Sequence, residues 1–238
     1  MVQISNKIYC EEFLTKLNIK TKILPNPYYD YPYMIIKNFL TPIICEEITE
    51  YTKDNKDKID AKLQKKSSVL KVGKVDKQIR KTKIHKLNTF HKNIYDDAFT
   101  KHQEDIERFF NLILTTSTKI QTLEYIKGSF YKKHCDDSNV LVNKGKILEF
   151  IPIAPERKIT TVLFTTSHSK KNSDNNFNGG ELVFNYLHHK DGTKVKLTPQ
   201  AGDMIVFLSN PYFSHEVLEV TSGYRLTLVQ WHNAIVKR

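Results

Sequence analysis

His134 and Asp136 stand two positions apart in the tripeptide His-Cys-Asp, and His215 and Arg225 follow far downstream. In an extended segment, positions i and i+2 project to the same side. His134 and Asp136 therefore point together, and Cys135 points away. Two imidazoles and one carboxylate on one face of a coordination sphere suit Fe(II) and leave further positions open. The H-x-D triplet alone is a common accident, and His215 alone reads equally well as a surface histidine at a strand start. Arg225 changes the weighing. It opens a run at 224–232 in which alternation puts Arg225, Thr227, Val229 and Trp231 on one face. A guanidinium sharing an inward face with valine and tryptophan is costly unless an anion pairs with it. A dicarboxylate chelating the nearby metal would be that anion. A local acid such as Glu219 is the plainer alternative.

The elements that must position these residues follow from periodicity. Residues 8–18 and 93–113 carry apolar residues at helical spacing, and Thr41 followed by Pro42 reads as the cap and first position of another helix. Pro25, Pro27 and Pro32 enforce an extended connection, and MIIKNF at 34–39 reads as a strand. From 119 onward, short β-branched and aromatic runs alternate with turn-rich gaps, as in an all-β sandwich or barrel. The expected class is α+β, mainly β: a jelly-roll core with N-terminal helices packed on one side. The expected organisation is one domain over 1–238, with 1–118 a helical support region and 119–238 the jelly-roll core.

With 238 residues and 39% hydrophobic content, the chain is long enough for one sizeable core. Its apolar runs are too short to span a bilayer, so no membrane association is expected. Cys10, Cys45 and Cys135 are too few for a disulfide framework, and no N-x-S/T sequon occurs. Together with an N-terminus unlike a signal peptide, this predicts a cytoplasmic protein. The net charge of +11 is concentrated: residues 53–86 hold thirteen Lys or Arg against four Asp. The plain reading is a solvated basic loop; the sharper one is a lip that attracts an acidic substrate or nucleic acid.

The stretch YIKGSFYKKHCD at 125–136 resembles the Y-x-x-G-x-x-Y-x-x-H-x-D signature of the prolyl 4-hydroxylase-like Fe(II)/2-oxoglutarate dioxygenases, with Tyr125, Gly128, Tyr131, His134 and Asp136 in register. NGGELVF at 178–184, PQAGDMIVF at 199–207 and HEVLEVTSGYR at 215–225 resemble later segments of that family, and 34–51 resembles its opening strand and helix. The resemblance implies Fe(II) held by His134, Asp136 and His215, and 2-oxoglutarate gripped by Arg225 and Tyr125. It also implies O2 as co-substrate, and it admits ascorbate. Arg at 225, where animal-type collagen hydroxylases tend to have Lys, resembles the PKHD-type branch. The implied reaction is hydroxylation of a C–H bond with release of succinate and CO2, on a protein or peptide and, by analogy with the family, prolyl-type. Leu163, Val206 and Val229 are expected to keep the pocket dry. The long segment 137–158 is expected to form a lid or one side of a substrate groove. His188 and His189 are expected in an exposed hairpin turn, and Cys135 is read as an inert thiol. Two rival readings are a nucleic-acid demethylase, motivated by 53–86, and a non-catalytic jelly-roll binding module.

Overall fold

Alternating apolar runs from Gln121 onward pair into two antiparallel sheets that face each other across a cavity. The computed structural model describes residues 1–20, 23–54, 59–60, 79–171 and 175–237. Most of the basic stretch 53–86 lies outside these residues. In the larger sheet, the long strand Val220–Val236 lies between Gln121–Ile126 and Ile159–Phe164, with Met204–Leu208 beyond. In the smaller sheet, His215–Val217 lies between Leu182–His188 and Phe130–His134. This is the jelly-roll core that the spacing of strands predicts, mainly β with a few helices.

Side-chain alternation assigns the faces of the larger sheet. Along Ile159–Phe164, Thr160 and Val162 line the cavity. Thr161 points the other way and meets the Tyr95 hydroxyl at 3.2 Å. Leu163 shares that outer face, as does Val206, which is paired directly opposite Thr161. Both are fully buried against the helices rather than the cavity. The expectation for Leu163 and Val206 is thus corrected by strand parity; of the three, only Val229 lines the cavity.

Two helices cover that outer face. Pro42–Asp54 begins after Thr41, whose hydroxyl accepts weakly from the Ile44 N–H at 3.4 Å. Its Thr49 hydroxyl meets that of Thr165 at 3.0 Å. Thr89–Phe110 is capped by the Asn88 side chain, which accepts from the His91 N–H at 2.8 Å, and it stops where Asn111 turns left-handed at φ 52°. It thus starts before the predicted 93 and ends before 113; Ile113 belongs to the next strand, Leu112–Ser117. The predicted helix at 8–18 shrinks to Glu12–Lys16, because Tyr9 and Cys10 pair with His188 and Leu187.

The first 118 residues are more than a helical support, because they extend both sheets. Met34–Ile36 pairs with Met204–Leu208, and Tyr9–Cys10 pairs with Leu182–His188. Arg80–Lys81 pairs with Phe130–His134 in the smaller sheet, while Lys83–His85 pairs with Gln121–Ile126 in the larger one. Residues 80–85 therefore stitch the two sheets together along one side of the cavity. Segment 137–158 is mostly a two-stranded hairpin, Ser138–Asn143 with Lys146–Pro152, and its Val140 and Phe150 line the cavity. His188 is not in an exposed turn: it ends a strand, is buried, and contacts Glu11 Oε1 at 2.9 Å.

Among the described residues, no helix is long and apolar enough to cross a membrane.

Candidate metal and 2-oxoglutarate site

His134 closes the strand Phe130–His134, and His215 opens the strand His215–Val217; the two are direct cross-strand partners. This pairing brings residues far apart in sequence to ring centroids 4.2 Å apart. Asp136, just past the first strand, completes the group. One ligand atom from each of His134, Asp136 and His215 lies within 4.8 Å of the others. His134 Nε2 is 3.6 Å from Asp136 Oδ1, and His215 Nε2 is 4.0 Å from Oδ2.

Backbone carbonyls orient both imidazoles. His134 Nδ1 lies 3.0 Å from the Lys132 carbonyl, and His215 Nδ1 lies 2.9 Å from that of Phe213. A carbonyl only accepts, so each Nδ1 carries a proton, and each Nε2 is left facing the Asp136 side. Tyr131 stacks on His134 with centroids 3.6 Å apart. The Thr160 hydroxyl donates to Asp136 Oδ2 at 2.7 Å. The Trp231 indole N–H also lowers the pKa of this carboxylate, yet makes no hydrogen bond of ordinary geometry and is otherwise unpartnered among the described residues. Burial pushes the His134 imidazole down to about 3, and His215 adds to the fall. Burial would raise Asp136, but the two imidazoles and Thr160 outweigh it and keep the pKa below the ordinary value. Two imidazoles and one carboxylate, oriented by outer contacts, form a donor set that fits a divalent first-row metal.

Arg225 points into the same cavity from the strand Val220–Val236, with Thr227, Val229 and Trp231 on the same face. It is 1% exposed, and its Nε and Nη1 have no partner among the described residues. Its guanidinium carbon lies 4.6 Å from the Tyr125 ring centroid and 4.9 Å from that of Phe164. Tyr125 is its direct cross-strand partner. Burial lowers Arg225 to about 10. Its nearest acidic influence is Glu181, not Glu219, and Glu181 is itself bridged to Lys196 at 2.9 Å. A buried guanidinium with free N–H groups fits an anionic ligand. Gly180 permits this packing: at φ 62° a Cβ would stand 2.7 Å from Val220 Cγ2 and 3.0 Å from Arg225 Cδ.

The cavity of about 960 Å³ contains all five predicted residues: His134, Asp136, His215, Arg225 and Tyr125. Cys135 also borders it, but its thiol is directed at Asp137 Oδ1 (3.1 Å) and the Ser209 carbonyl (3.2 Å), and burial raises its pKa well above the ordinary value. Sequence reasoning misses Thr160, Arg80 and Arg157. Arg80 lies over Tyr131 at 4.6 Å and Arg157 over Trp231 at 4.0 Å. Strand pairing with the 125–136 motif is the signal that would have found Arg80.

A family model, the 2OG-Fe(II) oxygenase superfamily, matches residues 120–233. A protein of Acanthamoeba polyphaga mimivirus named "Putative prolyl 4-hydroxylase" is 26% identical over 218 residues, spanning 85% of this chain and 74% of that one. A Pseudomonas putida prolyl-4-hydroxylase structure matches with a TM-score of 0.58 at 20% identity, over 84% of this chain and 91% of that one. A Trichoplax adhaerens prolyl hydroxylase, solved with a hypoxia inducible factor peptide fragment, gives 0.58 at 19% identity, covering 84% and 83%. The 2-oxoglutarate complex of a viral collagen prolyl hydroxylase from Paramecium Bursaria Chlorella virus-1 gives 0.55 at 18%, covering 85% and 96%. At these identities, the structural matches establish the shared fold.

Proposed function

Starting from a chain whose residues 120–233 belong to the 2OG-Fe(II) oxygenase superfamily, we propose that this dioxygenase hydroxylates a prolyl residue of a peptide or protein, with release of succinate and CO2. The observation that carries the site assignment is a His134–Asp136–His215 cluster sharing one cavity with a buried Arg225 whose Nε and Nη1 have no partner among the described residues. The prolyl assignment is supported by the relatives' names and their common fold.

Fe(II), when bound, would supply oxygen activation, with O2 as the oxidant and 2-oxoglutarate as the electron donor that leaves as succinate and CO2. His134, Asp136 and His215 would hold the metal through Nε2 and carboxylate oxygens. Thr160 keeps Asp136 aimed, and the carbonyls of Lys132 and Phe213 keep each imidazole in its ligating tautomer. Arg225 would grip the distal carboxylate of 2-oxoglutarate, with Tyr125 beside it contributing a hydroxyl. Arg offers a two-pronged contact that Lys does not. Val162, Leu182, Val217 and Val229 line the cavity and exclude water. The residues 1–238 are proposed to act as one oxygenase domain, because both sheets draw strands from the N-terminal part.

The test is succinate formation from 2-oxoglutarate with proline-containing peptides, set against the same peptides carrying alanine for proline. The expected result is succinate above the peptide-free rate, with a mass gain of one oxygen atom on proline peptides only. Equal turnover with the alanine peptides would overturn the prolyl assignment.

A further inference from the structure

The cavity holds more positive charge than the proposed reaction uses. Its lining has one acid, Asp136, and four cations: Arg80, Lys133, Arg157 and Arg225. Asp136 and Arg225 are absorbed by the metal and 2-oxoglutarate roles. The remaining three have no carboxylate partner among the described residues. Arg157 donates to the Asp136 backbone carbonyl at 3.2 Å and lies on Trp231. Arg80 is 7% exposed, and its Nε has no partner among the described residues. Lys133 is exposed and held over the Tyr186 ring at 4.9 Å. A buried guanidinium with an unpaired N–H costs stability unless an anion reaches it.

Arg80 and Lys133 reach to opposite sides of the strand that ends in His134, Lys133 being itself part of that strand. Arg80 comes from the paired edge strand and lies over Tyr131, which itself stacks on His134. Lys133 reaches across toward Tyr186 of the Leu182–His188 strand. A substrate residue at the metal would thus have one cation on each side. Cations over aromatic faces also decide between polyanions. Tyr131 is covered by His134 and Arg80, Tyr186 by Lys133 and Trp231 by Arg157, so these rings are not free to stack nucleobases, on which single-stranded nucleic-acid grooves depend. The hairpin side instead offers apolar contact from Val140 and Phe150.

We propose that this cleft selects acidic peptides, with Arg80 and Lys133 binding Asp or Glu side chains on either side of the reacting residue. The proposal rests on the peptide-hydroxylase reading of the same cavity. Its test is anaerobic binding, by fluorescence anisotropy, of three labelled proline peptides to the full chain loaded with Fe(II) and 2-oxoglutarate. The peptides share one length and differ in carrying Glu, Gln or Lys on both sides of the proline. The Glu peptide is expected to bind about tenfold or more tighter than the Gln peptide, the worth of one charge-assisted contact. That preference should shrink as salt is raised from about 0.05 M to about 0.3 M. Lys133→Gln, a change at an exposed position, and Arg80→Gln should each reduce the Glu-over-Gln preference severalfold. Equal affinity for the Glu and Gln peptides, or a preference intact in both variants, would overturn the proposal, as would a single-stranded oligonucleotide that displaces the Glu peptide at lower concentration. Tight, charge-selective binding of the Glu peptide with no succinate formed in air would instead remove the hydroxylase reading and leave the charge selectivity standing.

Discussion

Arg225 illustrates what one side chain reveals about a site. A guanidinium 1% exposed, caged by Tyr125, Phe164 and Phe177 and lacking a paired carboxylate among the described residues, is suited to the anionic ligand proposed for it. Removing it would strand the ligand's carboxylate in an apolar cavity, which costs about 3–5 kcal/mol. Arg225→Ala is accordingly expected to raise the apparent KM for 2-oxoglutarate about a hundredfold or more, with Arg225→Lys falling between. An unchanged KM in the alanine variant would mean that another residue holds the co-substrate. Gly180→Ala tests the same contact from behind. The added methyl meets Val220 and the Arg225 side chain at a positive φ. It should lower stability by about 1 kcal/mol or more and raise the 2-oxoglutarate KM, whereas a normal KM would show that Gly180 does not position Arg225. At this scale the sequence was highly legible, because H-x-D spacing and strand alternation are local rules. Thr160, Arg80 and Arg157 were not legible, because each reaches the cavity through pairings set far away in the chain.

The joint between the helix Thr89–Phe110 and the larger sheet carries a measurable pH signature. His232 is buried between them, stacked on Phe99 at 4.6 Å and in contact with Ser117 Oγ at 2.8 Å and Thr161 Oγ1 at 3.1 Å. Burial lowers its pKa to about 4. Between that value and the unfolded imidazole's, near 6.5, the unfolded chain binds the extra proton and the folded chain does not. Stability therefore falls as pH drops through this window, by up to about 3 kcal/mol. Denaturant unfolding of the apoprotein at pH 7 and pH 5 should show the loss, and His232→Gln should flatten it. A slope unchanged by that substitution would assign the effect to other groups. Helix existence was readable from periodicity, but boundaries shifted wherever a strand competed. Tyr9 and Cys10 are drawn into pairing, and Ile113 lies beyond the left-handed Asn111. The inward assignment of Leu163 and Val206 failed because apolar character alone does not report parity on a sheet buried on both faces.

The molecule as a whole is two sheets closed around a cavity, with the chemistry at one place where the sheets are joined. Cross-strand pairing of His134 with His215 and of Tyr125 with Arg225 sets the two halves of the site, one on each sheet. Residues 80–85 bridge the sheets and deliver Arg80 to the mouth. The jelly roll was legible from the run of short strands after 119. The strand expected at 34–39 was legible too and stands as Met34–Ile36 on the larger sheet; the N-terminal strands Tyr9–Cys10, Arg80–Lys81 and Lys83–His85 were not, since two- and three-residue strands leave no periodic trace. The central claim is that three ligands and one guanidinium converge on a common metal–dicarboxylate complex. Its most direct test is anaerobic visible absorption as 2-oxoglutarate is titrated into the Fe(II)-loaded protein. A saturable metal-to-ligand charge-transfer band is expected, lost in His134→Ala and Asp136→Ala and shifted to much higher 2-oxoglutarate concentration in Arg225→Ala. A protein that gives no band, or whose band persists in His134→Ala and Asp136→Ala, would contradict it.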